Sequence, residues 1–222
     1  MDKINKIIDQ TILRPDATSE DIRMFLKDFA EYGFYAAVVN PCWVPSVVNN
    51  LPEGIKVCSV VGFPFGASTT RAKVYAAEDL VRMGCDEIDM VMNIGRFKEK
   101  DFKYAGKEIK MVNDACSGRI LKVIIETCLL TRDEKIAAAN LIRESGAHFV
   151  KTSTGYSRGG AEVEDVELLR SVVGPDFGVK ASGGIRTFEQ ARTFIAAGAS
   201  RLGTSSGVAI VQGAIQAADL DR

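Results

Sequence analysis

The chain of 222 residues contains one histidine, His148, and that scarcity removes much chemistry at once. A single imidazole rules against a His-based metal site and all but excludes a Ser–His–Asp triad. Standing at the entrance to an apolar run, His148 reads as structural. Cysteines are few, odd in number and scattered: Cys42, Cys58, Cys85, Cys116 and Cys128, never in a CxxC pair. That speaks against a disulfide frame or a zinc site and for reduced thiols in a cytoplasm. No apolar run approaches membrane-spanning length, and the opening MDKINKIIDQTIL is too polar for a secretory signal, so a cytoplasmic protein with no membrane partner is expected. Nor is charge in excess. The 28 basic and 29 acidic residues leave a net charge of −1, with no basic block or basic–aromatic stripe, so no nucleic-acid partner is expected. Apolar residues at 46 % and charged residues at 26 % fit an ordinary globular core.

What is present is a rhythm. Short apolar runs recur at Asp9–Leu13, Tyr35–Val39, Val57–Val61, Glu87–Val91, Leu121–Ile125, Phe149–Thr152, Val179–Ala181 and Arg201–Gly203, about 27 residues apart. Amphipathic stretches lie between them. Thr131-x-x-Glu134 and Thr187-x-x-Gln190 read as capping boxes, in which side chains satisfy the first free backbone donors of a helix. Eight strand-plus-helix units without a long polar or Pro/Gly linker predict an α/β fold, a single (β/α)8 TIM barrel over residues 1–222. A doubly wound open sheet is the alternative, since periodicity does not show closure.

Glycine marks the units. Four helical stretches end at a glycine leading straight into a strand: Gly33, Gly84, Gly146 and Gly198. Glycine suits a helix C-terminus because the left-handed conformation costs it no side-chain clash. Five residues on from each stand Val38, Asp89, Lys151 and Gly203, on the second, fourth, sixth and eighth strands. Barrel interiors are layered from alternate strands, so Asp89 and Lys151 are expected at one level of the lumen, side by side.

Two lysines lie inside apolar runs, Lys151 in HFVKTSTG and Lys180 in FGVKASGG. Lysine is seldom fully buried, and a buried ammonium tends to shed its proton and become a nucleophilic amine. With an ordinary pKa near ~10.4, a reactive lysine needs burial or a second cation, which Lys180 on the next strand can supply. Condensed with a carbonyl, the amine becomes an iminium that draws electrons from the adjacent carbon–carbon bond. Such a site makes or breaks that bond with no metal and no coenzyme. Asp89 is the candidate acid/base for the protons that must move. Lys122 and Glu126, four apart on LKVIIE, share a strand face and read as polar lumen that orients the site. Cys42, with no histidine to activate it, reads as packing or pocket lining. Trp43, Phe63 and Phe65 read as packing or pocket wall.

Ser182-Gly183-Gly184 follows the seventh run and Gly203-Thr204-Ser205-Ser206-Gly207 the eighth. The loops after the last two strands of such a barrel can form a phosphate cradle, with backbone N–H groups and a helix N-terminus facing the anion. Thr154-Gly155 and Gly159-Gly160 extend that wall.

In order along nearly the whole chain, D-x-T-x-L at Asp9–Leu13, NPCWVP at Asn40–Pro45, VVGFPFG at Val60–Gly66, DEIDMV at Asp86–Val91, LKVIIET at Leu121–Thr127, VKTSTG at Val150–Gly155, VKASGGIRT at Val179–Thr187 and GTSS at Gly203–Ser206 closely resemble the deoxyribose-phosphate aldolase family. The resemblance implies a class I, Schiff-base-forming lyase. Such an enzyme interconverts 2-deoxy-D-ribose 5-phosphate with D-glyceraldehyde 3-phosphate and acetaldehyde in deoxyribose catabolism, without a cofactor. It implies Lys151 as the Schiff-base lysine, Lys180 as the partner that lowers its pKa, and Asp89 as the proton relay. Gly155, Gly183, Gly184, Ser205 and Ser206 match phosphate contacts, and Asp9, Thr11, Cys42 and Lys122 match the sugar pocket or its supporting network. Many such barrels pair, so a homo-oligomer, dimer or tetramer, is expected.

The chain departs from that pattern in places. Gln10 and Arg14 stand where many relatives have histidine and lysine, and Tyr156 where some carry a lysine near the phosphate; Arg158 is the residue that could compensate. The closing AADLDR lacks the tyrosine that some members use in proton transfer, which predicts slower turnover or another donor. Two rival readings stay open. One is a phosphosugar isomerase or epimerase with Glu126 as base and the lysines binding anion; the other is a non-catalytic sugar-phosphate-binding barrel.

Overall fold

The structure, a computed structural model, describes residues 4–220. Each apolar run becomes a strand: β1 (Ile8–Ile12), β2 (Ala36–Val39), β3 (Lys56–Val61), β4 (Glu87–Val91), β5 (Ile120–Ile124), β6 (Phe149–Lys151), β7 (Gly178–Ser182) and β8 (Arg201–Thr204). The helices are α1 (Ser19–Tyr32), α2 (Val44–Val48), α3 (Thr70–Arg82), α4 (Ile94–Lys98), α5 (Phe102–Ala115), α6 (Arg132–Glu144), α7 (Val163–Val173), α8 (Phe188–Ala196) and α9 (Gly207–Leu220). The strands are parallel and pair in chain order. β8 returns to β1 with Asp9 opposite Gly203 and Gln10 opposite Thr204, which closes the barrel and removes the open-sheet alternative.

Both faces of these strands are buried, so the sequence runs read as continuous apolar stretches. Alternate residues such as Ile88, Met90, Leu121, Val123, Val150, Val179 and Leu202 point outward into the core between strands and helices. The other set fills the lumen, apolar on one side, where Leu13, Val38, Cys58 and Val60 cluster with Phe63. The opposite side is charged.

Local signals act as expected. Gly33, Gly84, Gly146 and Gly198 all have positive φ, between 60° and 105°, at the turns from helix into strand. The capping boxes of Thr131 with Glu134 and Thr187 with Gln190 both form. A third, Thr18 with Asp21, opens α1. His148 accepts the Leu121 N–H on Nδ1 at 3.1 Å, the structural role expected of it. Outside the barrel, Lys73 on α3 and Glu108 on α5 form a fully buried ion pair at 2.8 Å. Among the described residues no helix is long and apolar enough to cross a membrane. The expectations attached to the polar opening and to the closing AADLDR fall in part on residues 1–3 and 221–222, outside the described residues.

Candidate active site

Strand register assembles the site. Asp89 lies opposite Lys122 across β4–β5, and Lys151 opposite Lys180 across β6–β7. Asp89 Oδ2 accepts from Lys151 Nζ at 2.7 Å and from Lys180 Nζ at 2.8 Å, while Oδ1 accepts from Lys122 Nζ at 2.8 Å and from Cys58 Sγ at 3.2 Å. The amines of Lys151 and Lys180 are therefore no further apart than two hydrogen bonds laid end to end. Asp89 and Lys151 meet at one level, as the glycine counting requires.

Beneath them the network continues. Lys180 also donates to Asp9 Oδ2, and Asp9 Oδ1 accepts from Arg201 at 2.9 Å. Arg201 reaches Glu87 Oε2 at 3.2 Å, and the same oxygen meets Lys122 at 2.6 Å. Neither Arg201 nor Glu87 stands out in the sequence. The available signal is the strand period: each lies two residues before an inward-facing position, Gly203 and Asp89, and so on the same face.

The three lysines differ. Burial pushes the Lys151 amine down, and this outweighs the opposing pull of Asp89, with the charge on Lys180 adding to the depression. Burial acts on Lys122 and Lys180 too, but Lys122 faces three carboxylates and Lys180 two, and the net shift is upward for both. Burial would raise the carboxyl of Asp89, yet Lys122, Lys151 and Lys180 hold it well below the usual carboxylate range. Lys151 alone of the three is set up to be a free amine.

A cavity of about 680 Å³ opens above, and of this network Lys151 alone lines it. Thr11, Gly155, Gly183, Gly184 and Ser205 line it, joined by Gln10, Arg14, Tyr156 and Arg186. Arg14 is paired with Asp16 at 2.9 Å and Asp21 at 2.5 Å. Tyr156 meets Phe63 edge-on, ring centroids 5.4 Å apart. The cradle needs its glycines. Gly183 has φ 92°, and a Cβ on Gly160 would fall 2.4 Å from the Gly183 carbonyl oxygen.

Of the two places open to them, the pocket wall and its supporting network, Asp9 and Lys122 take the second, fully buried under the cavity floor. Several other expected positions are corrected. Ser206 does not line the cavity; its N–H turns back to Thr204 Oγ1 at 2.9 Å. Cys42 is exposed and outside the cavity, because the turn Pro41–Trp43 anchors through the following Val44 and leaves the thiol facing solvent. Phe65 is 78 % exposed and walls nothing. Arg158 spends its guanidinium on the Cys128 carbonyl, at 2.9 and 3.3 Å, and does not compensate for Tyr156. Glu126 does not continue the face of Lys122. β5 ends before it, it adopts φ 52°, and its carboxylate accepts from the Thr154 N–H at 3.2 Å and the Thr154 hydroxyl at 2.5 Å. It lies outside the cavity lining, which removes the base that an isomerase reading requires. Among the described residues no group of His, Cys, Asp and Glu is arranged to hold a metal ion.

Residues 3–213 match the model of the DeoC/LacD family aldolases. The deoxyribose-phosphate aldolase of Thermococcus kodakarensis is 54 % identical over 217 residues, covering 96 % of this chain and 97 % of the relative. That of Streptococcus suis is 51 % identical over 213 residues, covering 96 % and 97 %. Among solved structures, the tetrameric deoxyribose phosphate aldolase from Aeropyrum pernix superposes with a TM-score of 0.89 at 33 % identity, covering 96 % of this chain and 92 % of that one.

Proposed function

The chain belongs to the DeoC/LacD family of aldolases, and from that premise we propose how its residues divide the work of a deoxyribose-phosphate aldolase. The reaction is the reversible cleavage of 2-deoxy-D-ribose 5-phosphate to D-glyceraldehyde 3-phosphate and acetaldehyde. Lys151 Nζ adds to C1 of the open-chain sugar and, with loss of water, forms an iminium. The C3 hydroxyl gives up its proton and the C2–C3 bond breaks, releasing glyceraldehyde 3-phosphate and leaving the two-carbon fragment as an enamine on Lys151. Protonation at C2 and hydrolysis free acetaldehyde and the amine.

Asp89, bonded to both Lys151 and Lys180, takes and returns the protons these steps move. Lys180 keeps its charge and lowers the pKa of Lys151. The phosphate rests among Gly155, Gly183, Gly184 and Ser205, with Arg186 beside them as the cation that Tyr156 does not supply. Thr11 contacts the sugar, and Asp9 and Lys122 fix the network from below. One observation carries this reading: Lys151 stands at the cavity floor with its pKa lowered, sharing one carboxylate oxygen with Lys180.

The same reading takes residues 1–222 as one aldolase domain in a cytoplasmic homo-oligomer. The free thiols and the tetrameric Aeropyrum pernix relative support that part, and light scattering on the purified protein checks the assembly. For the chemistry, acetaldehyde with borohydride should attach a two-carbon group to Lys151, located by peptide mapping. Lys151→Ala should reduce cleavage to the uncatalysed rate. Wild-type turnover in Lys151→Arg, whose guanidinium forms no Schiff base, would remove Lys151 from its role.

A further inference from the structure

The charges sealed under the cavity form a ring. Arg201 bonds Asp9, Asp9 bonds Lys180, Lys180 bonds Asp89, Asp89 bonds Lys122, Lys122 bonds Glu87, and Glu87 returns to Arg201. Signs alternate around it, three cationic groups against three carboxylates, so the ring is neutral by itself. Lys151 hangs from Asp89 as a seventh, odd member.

Nothing else facing the ring changes that count. On β3, burial pushes the Cys58 thiol up and keeps it uncharged. β2 turns only Ala36 and Val38 inward, while Tyr35 just before it lays its ring on Arg201, 3.5 Å from guanidinium to ring centre. Phe149 on β6 covers Arg201 at 5.4 Å. Glu126, after β5, accepts from Thr154 and pairs with neither the ring nor Lys151, though its charge is felt at Lys151; burial raises its carboxyl. Among the described residues Asp89, already shared with Lys122 and Lys180, is the one ion-pair partner of Lys151.

We propose that Arg201 and Glu87, neither of which lines the cavity, are positioning residues that set the net charge of this ring and so the pH at which Lys151 gives up its proton, Arg201 favouring the free amine and Glu87 opposing it. The inference rests on Lys151 being the Schiff-base lysine. Without the Glu87 charge the ring carries an extra positive charge, and a proton on Lys151 becomes harder to keep. Without the Arg201 charge the ring carries an extra negative charge, and that proton becomes easier to keep.

The test is the pH dependence of reductive trapping by acetaldehyde and cyanoborohydride, read at Lys151 by peptide mapping, beside the acid limb of kcat/KM for sugar-phosphate cleavage. Glu87→Gln should move both limbs to lower pH by about one unit, and Arg201→Met to higher pH by about as much, the size expected of one buried charge at this range. The double variant should return towards the wild-type position, and Arg201→Lys, which keeps the charge, should hold it. A role in packing alone would cost stability without opposite shifts of the limb. Single variants that trap at Lys151 with the wild-type pH dependence, or that shift in the same direction, overturn the proposal. If Arg201→Met does not fold, the near-isosteric Glu87→Gln decides it. Failure of the wild-type protein to trap at Lys151 would instead sink the reading beneath.

Discussion

Three lysines meet one carboxylate, and the number of carboxylates around each decides what it can do. Lys122 has three and Lys180 two, and both are held as ammonium; Lys151 has Asp89 alone as ion-pair partner and opens to the cavity. The contribution of Lys180 can be read from its removal. Lys180→Met takes away the neighbouring charge, so the pKa of Lys151 rises. The working form is the free amine, present above that pKa, so the acid limb of kcat/KM should move to higher pH. Each unit of movement lowers the reactive fraction at pH 7 about tenfold. A limb that stays put or moves down would remove Lys180 as a contributor to the depression, leaving burial alone. Lys151, Lys180 and Asp89 are legible in the sequence because charge inside an apolar run is anomalous. Glu87 and Arg201 are not, because each opens its run and there resembles the solvated end of a strand. Cys42 and Ser206 mislead for another reason: in a loop, adjacent residues face different ways, and no period says which faces the cavity.

At the scale of elements, the order strand, turn, helix is written in local chemistry, and so the barrel can be read before its closure is seen. The helix-ending glycines and the two capping boxes bound the units. The parallel register then follows from equal spacing, with Val38, Asp89, Lys151 and Gly203 turned into the lumen together. What the local signals cannot carry is loop against loop. Gly160 seats on Gly183 from the far side of the β6–α7 connection, where Ala161 N–H donates to the Gly183 carbonyl at 3.0 Å. Gly160→Ala places a Cβ 2.4 Å from that carbonyl oxygen and forces the cradle to shift. KM for the phosphorylated sugar should then rise, by roughly tenfold if one charge-assisted hydrogen bond to phosphate is lost. Trapping of unphosphorylated acetaldehyde at Lys151 should continue at the wild-type rate. Equal losses in both assays would place the damage in the lysine network and not in the cradle.

Among the described residues two charge systems are fully buried, in the lumen and between α3 and α5, and the lumen system alone opens to a cavity. Lys73 and Glu108 are as inaccessible as the lumen lysines, yet they lie between α3 and α5, with Lys73 also donating to the Val91 carbonyl at the end of β4 at 2.9 Å. Thr70 donates to the free side of Glu108 at 3.1 Å, so the pair is satisfied and closed. Burial lowers the Lys73 pKa just as it does for Lys151. A perturbed buried lysine is therefore no mark of catalysis here without access to a ligand. The two systems should separate on mutation. Glu108→Gln leaves a buried ammonium with neutral carbonyl acceptors and no carboxylate, and should cost about 3–5 kcal/mol. For a chain of this length that lowers the melting temperature on the order of 10 °C. Below the transition, kcat/KM and its acid limb should match wild type, and replacing both partners by Lys73→Met with Glu108→Leu should recover much of the stability. A displaced acid limb in Glu108→Gln would show that charge in the helix layer reaches Lys151, and the neutral ring in the lumen would no longer suffice to account for its free amine.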